Sequence, residues 1–140
     1  MTEADLNRIE AALGFALPTF YRVYMRAYPR DLRARQPEWL KRVTEWEFAD
    51  DPDRIIAFNR SVRAQEDGWF FDDRPWPDEL LVIGSEYDQN YFAVNRRSGD
   101  EGVLFWSHED GSLSRIAESL SGYRDWLVQW WDDIRRDNER

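Results

Sequence analysis

Apolar residues follow two rhythms along this chain, one helical and one alternating. Leu6, Ile9 and Leu13 recur at the spacing that puts them on one face of a helix. Thr2, with Asp5 three residues later, reads as the N-cap of that helix. Gly14 is a natural stop, because glycine accepts the left-handed conformation that ends helices. Pro18 suits the first turn of a second helix, where its missing N–H would be unpaired anyway. That helix carries Phe20, Tyr21, Val23, Tyr24 and Ala27 and is expected to end before Pro29. Residues 29–44 are Arg-rich and without a clear period, with Pro37 opening at most one short turn around Trp39 and Leu40. The segment TEWEFAD at 44–50 alternates, with Trp46 and Phe48 on one face, and reads as a short strand. Asp50 or Asp51, followed by Pro52, then starts a third helix whose buried stripe is Ile55, Phe58 and Val62, with Gly68 ending it.

From Leu80 to Trp106 the chain reads LLVIGSEYDQNYFAVNRRSGDEGVLFW. Its apolar runs predict strands at about 80–84, 90–95 and 103–106, with a fourth near 112–117. The Ser98–Gly102 turn separates the second and third strands. Asp110-Gly111 is a hairpin signal between the last two, since such turns require positive φ. A closing helix is expected from about Ser119 to Arg136. Leu120, Tyr123, Leu127, Trp130 and Ile134 share one arc of it, flanked by Trp126 and Trp131, and should pack on the sheet. Between the third helix and the strands, residues 69–79 mix aromatics, acids and two prolines and predict no regular element. Trp76, between Pro75 and Pro77, fits either a core position or an exposed binding anchor. Helices at the ends of a continuous run of strands imply an α+β domain. The expected sheet is mostly antiparallel, with about four to six strands. N-terminal helices, a middle helix and a long C-terminal helix would flank it. At 140 residues, with no internal repeat or low-complexity segment, one domain over 1–140 is expected.

Charge sharpens this picture. The net charge is −9, but residues 1–44 carry +3, residues 45–88 carry −9 and residues 89–140 carry −3. The middle third therefore holds the whole imbalance. Phosphate binding needs a basic surface, so nucleic acid is not an expected ligand, whereas a basic protein partner is physically reasonable. Acidic charge also serves plain solubility. Of nineteen basic residues, only Lys41 is not arginine, which carries no functional reading. There is no run of 18 apolar residues and no signal-peptide pattern, so neither a membrane span nor signal-directed secretion is expected. The absence of cysteine excludes disulfides, Cys-ligated zinc and thiol catalysis, and fits a cytoplasmic location.

No reaction is legible in the residues. His108 is the sole histidine, and its neighbour Ser107 would point to the opposite face of a strand, which does not build a triad. His108 is expected in a turn. Zinc sites draw on several His or Cys ligands, and no metal or cofactor is expected. Asp50, Asp51 and Asp53 lack the alternating spacing and central glycine of a calcium loop, and more simply favour a helix N-terminus. The pairs Asp72/Asp73 and Glu109/Asp110 could act as acid and base, but such pairs are frequent here and carry little weight. Asn59-Arg60-Ser61 is formally a glycosylation sequon, without meaning in a chain not expected to be secreted.

Several segments in order resemble the SUKH superfamily. They are IEAALGFALPTFY at 9–21, EWEF at 45–48, WPDELLVIGSE at 76–86, YFAV at 91–94, VLFWSHEDG at 103–111 and SLSGYRDWL at 119–127. That superfamily includes bacterial immunity proteins and a yeast regulator of cell-wall synthesis. The resemblance implies an α+β fold and a non-enzymatic protein that binds and neutralises a cognate toxin, which among the bacterial members is often a nuclease. An adaptor or regulatory scaffold is the alternative it implies. It carries no catalytic residues. This chain has no glycine in the turn after Ile83-Gly84, where relatives often do, so no shared pocket is expected at that turn. The compact length resembles the bacterial members. Combined with the acidic middle third, the expected partner surface comprises Asp50, Asp51, Asp72, Asp73, Glu86 and Asp88 for charge. Trp76 and Tyr87 would supply desolvated contacts.

Overall fold

The computed structural model describes residues 1–29, 31–39, 47–64, 75–87 and 89–139. Helix α1 spans Glu3–Leu13, α2 Thr19–Arg26, α3 Asp31–Arg35 and α4 Pro52–Ala64. Strands β1 (Leu80–Glu86), β2 (Asn90–Asn95), β3 (Val103–Trp106) and β4 (Leu113–Ala117) precede α5 (Leu120–Asn138). The strands form one antiparallel meander in the order β1-β2-β3-β4. This is the α+β architecture that the alternation of periods predicts.

The helix ends follow their local chemistry. Thr2 and Asp5 form a reciprocal capping box, and Gly14 at φ +80° closes α1. Pro18 is the N-cap of α2 rather than its first helical residue. In the connection between them the Leu17 amide donates to Glu10, whose carboxylate also meets Arg22 of α2. The Ser119 hydroxyl accepts the Gly122 amide at the start of α5. In the 29–44 stretch, which showed no period, α3 forms a short helix held to α5 by Asp31 and Arg124, 3.0 Å apart.

Two side-chain layers cover the sheet. On one face Phe92 packs against Phe105 of β3 and against Tyr123 and Trp126 of α5, with ring centroids 4.9–5.8 Å apart. On the other, Tyr91 and Trp106 pack with Trp76, and Phe58 of α4 closes on Tyr91. The inward arc of α5 is rotated from the expected one. Val128 is buried, while Trp130 is 37% exposed. Tyr123, Leu127 and Trp131 set the centre of the buried arc, and Trp130 falls on its flank.

The outer edge of β1 is closed by groups from several elements. Glu47 and Ala49 donate their amides to Ser85 and Ile83 at 3.0 and 2.9 Å, running antiparallel to β1 without forming a regular strand. Their short run is fixed from behind by Tyr123, whose hydroxyl donates to the Glu47 carbonyl, and by Tyr28, which donates to that of Phe48. The rest of the expected strand at 44–50, including Trp46, lies outside the described residues, as does Gly68. Further along, the buried Asn59 side chain donates to the Val82 carbonyl and accepts the Val82 amide, both at 2.9 Å. Trp76 Nε1 donates to the Leu80 carbonyl at 2.9 Å. An exposed strand edge would invite non-native pairing, and here the edge is occupied along its length.

Candidate partner-binding surface

In a meander the β1–β2 and β3–β4 turns lie at one end of the sheet. The first holds Glu86 and Tyr87, the second Ser107 to Ser112. Tyr87 has φ +55°, a left-handed conformation that is uncommon for a bulky side chain, and is 50% exposed. The turn around it is braced. The Gln89 amide donates to the Glu86 carbonyl and Asn90 Nδ2 to the Glu86 carboxylate. Asn90 Oδ1 in turn accepts the His108 amide at 2.8 Å and meets His108 Nδ1 at 2.7 Å, tying the two turns together.

His108 lies in a turn, as expected. The Ser107 hydroxyl accepts the Glu109 amide at 3.3 Å. Hydroxyl and imidazole are thus each committed to turn geometry, an arrangement that does not build a nucleophile–base pair. Asp110 accepts the Ser112 amide, and hydrogen bonds from Ser112 hold its carboxyl below the usual range. Glu109 and Asp110 therefore add exposed negative charge beside Glu86. Sequence reasoning weighed this pair only as acid and base; the meander topology, which places both turns at one end, is the signal that links it to Glu86. Leu113, exposed and opposite Trp106 in the ladder, lies next to the same turn.

The second acidic group sits at the start of α4. Asp51 Oδ1 accepts the Asp53 amide at 2.9 Å and so caps the helix. Asp53 pairs with Arg8 of α1, and Glu47 with Arg54. Ala49, next to Asp50, lies level with Ile83, three residues short of Glu86. At the strand rise per residue that is about 10 Å for Ala49, and Asp50 and Asp51 follow on the side away from Glu86 because the run is antiparallel to β1; the separation stays within the span of an ordinary interface.

Of the expected partner residues, Asp50, Asp51, Glu86 and Tyr87 are thus on neighbouring segments. Asp72, Asp73 and Asp88 lie outside the described residues. Trp76 requires a correction: it is 5% exposed, its indole N–H is satisfied by Leu80, and its ring packs edge-on against Tyr91 and Trp106. A ring held in this way supports the sheet and is not available as a partner contact. Among the described residues no group of three or more His, Cys, Asp or Glu side chains is placed to hold a metal ion. No helix among them is long and apolar enough to cross a membrane.

A family model, SMI1 / KNR4 family (SUKH-1), matches residues 1–126. The chain belongs to the SMI1 / KNR4 family. The match spans the helices, the meander and the first turns of α5, including Gly84 and the β1–β2 turn. Family membership is consistent with a protein-binding or immunity role and suggests that the partner is a protein. No curated protein and no solved structure matched the chain.

Proposed function

We propose that this chain is a non-enzymatic immunity protein of the cytoplasm that binds and neutralises a cognate toxin. Membership of the SMI1 / KNR4 family over residues 1–126 carries this reading. The partner surface is assigned to Asp50, Asp51, Glu86 and Tyr87, extended by Glu109 and Asp110, with Asp72, Asp73 and Asp88 contributing charge from the same acidic third. A basic toxin domain, such as a nuclease whose groove receives phosphates, is the matching partner chemistry. Co-expression with the cognate toxin, sought among the products of neighbouring genes, tests the proposal: cells should survive and the two chains should co-purify. Continued killing with soluble protein present would overturn the immunity role. Recovery of a stable endogenous partner from a toxin-free strain would replace it with an adaptor role.

A further inference from the structure

The sheet has two outer strands, and only β1 is closed. Along β1 the amides of Glu47 and Ala49, the Asn59 side chain and the Trp76 indole occupy the edge. The five-residue β4 stands at the other side of the meander. The Ser107 amide donates to the Ser112 carbonyl, so the alternation of an antiparallel ladder makes Phe105 and Ser114 the next hydrogen-bonded pair. Leu113 and Arg115 therefore turn their amides and carbonyls away from β3. Among the described residues none of these groups has a partner, and Leu113, Ser114 and Arg115 are all exposed. Open edges are commonly guarded by a projecting charge. The only cation on β4 is Arg115, and it is drawn inward. Its guanidinium bonds Asp100 of the β2–β3 turn and lies 3.4 Å from Glu118. It sits so close to Gly102 that a β-carbon there would collide with it. Ile116 is an extra residue that bulges the strand after Arg115, which limits the open stretch to Leu113–Arg115 without closing it.

The surroundings of this edge are acidic. Residues 98–121 carry Asp100, Glu101, Glu109, Asp110 and Glu118 against Arg115 alone, a net charge of −4 with His108 neutral. Arg96 and Arg97, just before, are turned to Asp78. A second copy of this chain is a poor occupant. Antiparallel pairing of two β4 strands with Leu113 opposite Arg115 brings Asp110 of one copy toward Glu118 of the other. Shifting that register by two sets Arg115 against Arg115, and like charges directly opposite are unfavourable. We propose that the β4 edge takes an extended basic segment of a protein partner as a fifth strand. Its main chain would bond Leu113 and Arg115, with basic side chains toward Glu109 and Asp110 at one end and Glu118 at the other. Main-chain hydrogen bonds supply affinity in this mode and side chains supply selectivity. Leu113, 46% exposed, adds an apolar contact. The site continues from the Glu109–Asp110 turn assigned above, and rests on that reading only in taking the partner to be a basic protein.

An amide-resolved NMR titration of the full chain with acetyl-Arg-Thr-Val-Thr-Val-Arg-amide tests this without any toxin, so failure of the killing test above leaves its result untouched. Saturable shifts centred on residues 112–116 are expected, with slowed hydrogen exchange of the Leu113 and Arg115 amides. N-methylating the peptide's central residues removes its donors at unchanged charge and should weaken binding by about tenfold or more. The peptide with Glu in place of Arg should not saturate. Glu109→Gln with Glu118→Gln should weaken binding by roughly three- to tenfold, as loss of two exposed charge contacts implies. Leu113→Pro removes one outward amide and spares the ladder bonds to β3, and should cost about tenfold in affinity. Equal binding of the N-methylated peptide, no saturation by the basic peptide, or shifts confined to the Glu86–Tyr87 turn would each overturn the proposal. So would self-association of the chain that Leu113→Pro abolishes, which would make a second copy the occupant. The N-methylated peptide leaves the protein unchanged, and decides the matter even where Leu113→Pro fails to fold.

Discussion

A β-carbon on residue 84 would stand 2.0 Å from the Glu47 carbonyl oxygen and 3.1 Å from the Tyr123 hydroxyl. The first neighbour is backbone, so relief requires moving the 47–49 segment away from β1. Gly84→Ala should therefore cost about 3 kcal/mol or more, at the upper end of overpacking effects, as urea unfolding would measure. A loss below about 1 kcal/mol would mean the segment yields freely. Two of the buried tyrosines, Tyr123 and Tyr21, separate a satisfied hydroxyl from an unsatisfied one. The Tyr123 hydroxyl donates to Glu47, whereas that of Tyr21 finds no partner among the described residues. Tyr123→Phe should cost about 1 kcal/mol, and Tyr21→Phe should be neutral or stabilising; equal losses would show the Tyr21 hydroxyl to be paired. Burial also raises the pKa of both from 10.0. Because the fold favours the neutral form, this contribution is complete below about pH 10 and is lost as pH rises toward the folded-state values. Ultraviolet titration should show both ionising only with alkaline unfolding. The role of Gly14 as the stop of α1 was legible in the sequence. Asn59 was not: it shares the buried stripe with Ile55, Phe58 and Val62, yet neither its polarity nor the formal sequon signals the two hydrogen bonds by which it closes the β1 edge at Val82.

Element by element, the periodicities located α1, α2, α4, α5 and the four strands because each buries one face against a neighbour, and burial leaves a period; the five-residue α3 left none. They could not say where the neighbours stand. In α5 the same heptad-like spacing accommodates an arc centred near Trp130 or one shifted toward Val128. Only the positions of the sheet and of α3 select the second. Trp76 was ambiguous for a related reason: a polar, proline-bounded segment reads as exposed, whereas the second face of the meander requires cover. The weight of α5 in the fold can be tested directly. Tyr123, Leu127, Val128 and Trp131 are buried, and removing each large buried side chain costs roughly 2–5 kcal/mol. A chain ending after Gly122 should show no cooperative thermal transition, given a typical domain stability of about 5–15 kcal/mol. A chain ending after Trp126, where the family match stops, still loses three of these residues and should also be unfolded. Cooperative melting of either would show that the helix docks on a fold already stable without it.

For the molecule as a whole, the strand order fixes where charge is presented. Two turns carry Glu86, Glu109 and Asp110 at one end of the sheet, and the β2–β3 turn at the other balances Arg96 and Arg97 with Asp100 and Glu101. On the proposed function, the unbalanced acids at the Tyr87 end are what a basic partner would meet first. Exposed acids act mainly on encounter, whereas a half-exposed aromatic ring that loses water on binding acts mainly on residence time. Asp50→Asn with Asp51→Asn should slow association with a basic toxin domain and flatten its salt dependence. Dissociation should hardly change. Asp51 also caps α4, so thermal unfolding of this variant must be followed in parallel; asparagine retains the capping oxygen. Tyr87→Asn should have the opposite effect, speeding dissociation while leaving association intact. It should also preserve or raise the melting temperature, since asparagine accepts the left-handed conformation more readily than tyrosine. Stopped-flow rates across a salt series would resolve both, because screening acts over roughly 8–10 Å at physiological ionic strength. An association rate indifferent to salt and to the acidic substitutions would remove electrostatic steering from the account. If Tyr87→Asn lowered the melting temperature and left dissociation unchanged, the ring would belong to the packing of its turn and not to the interface.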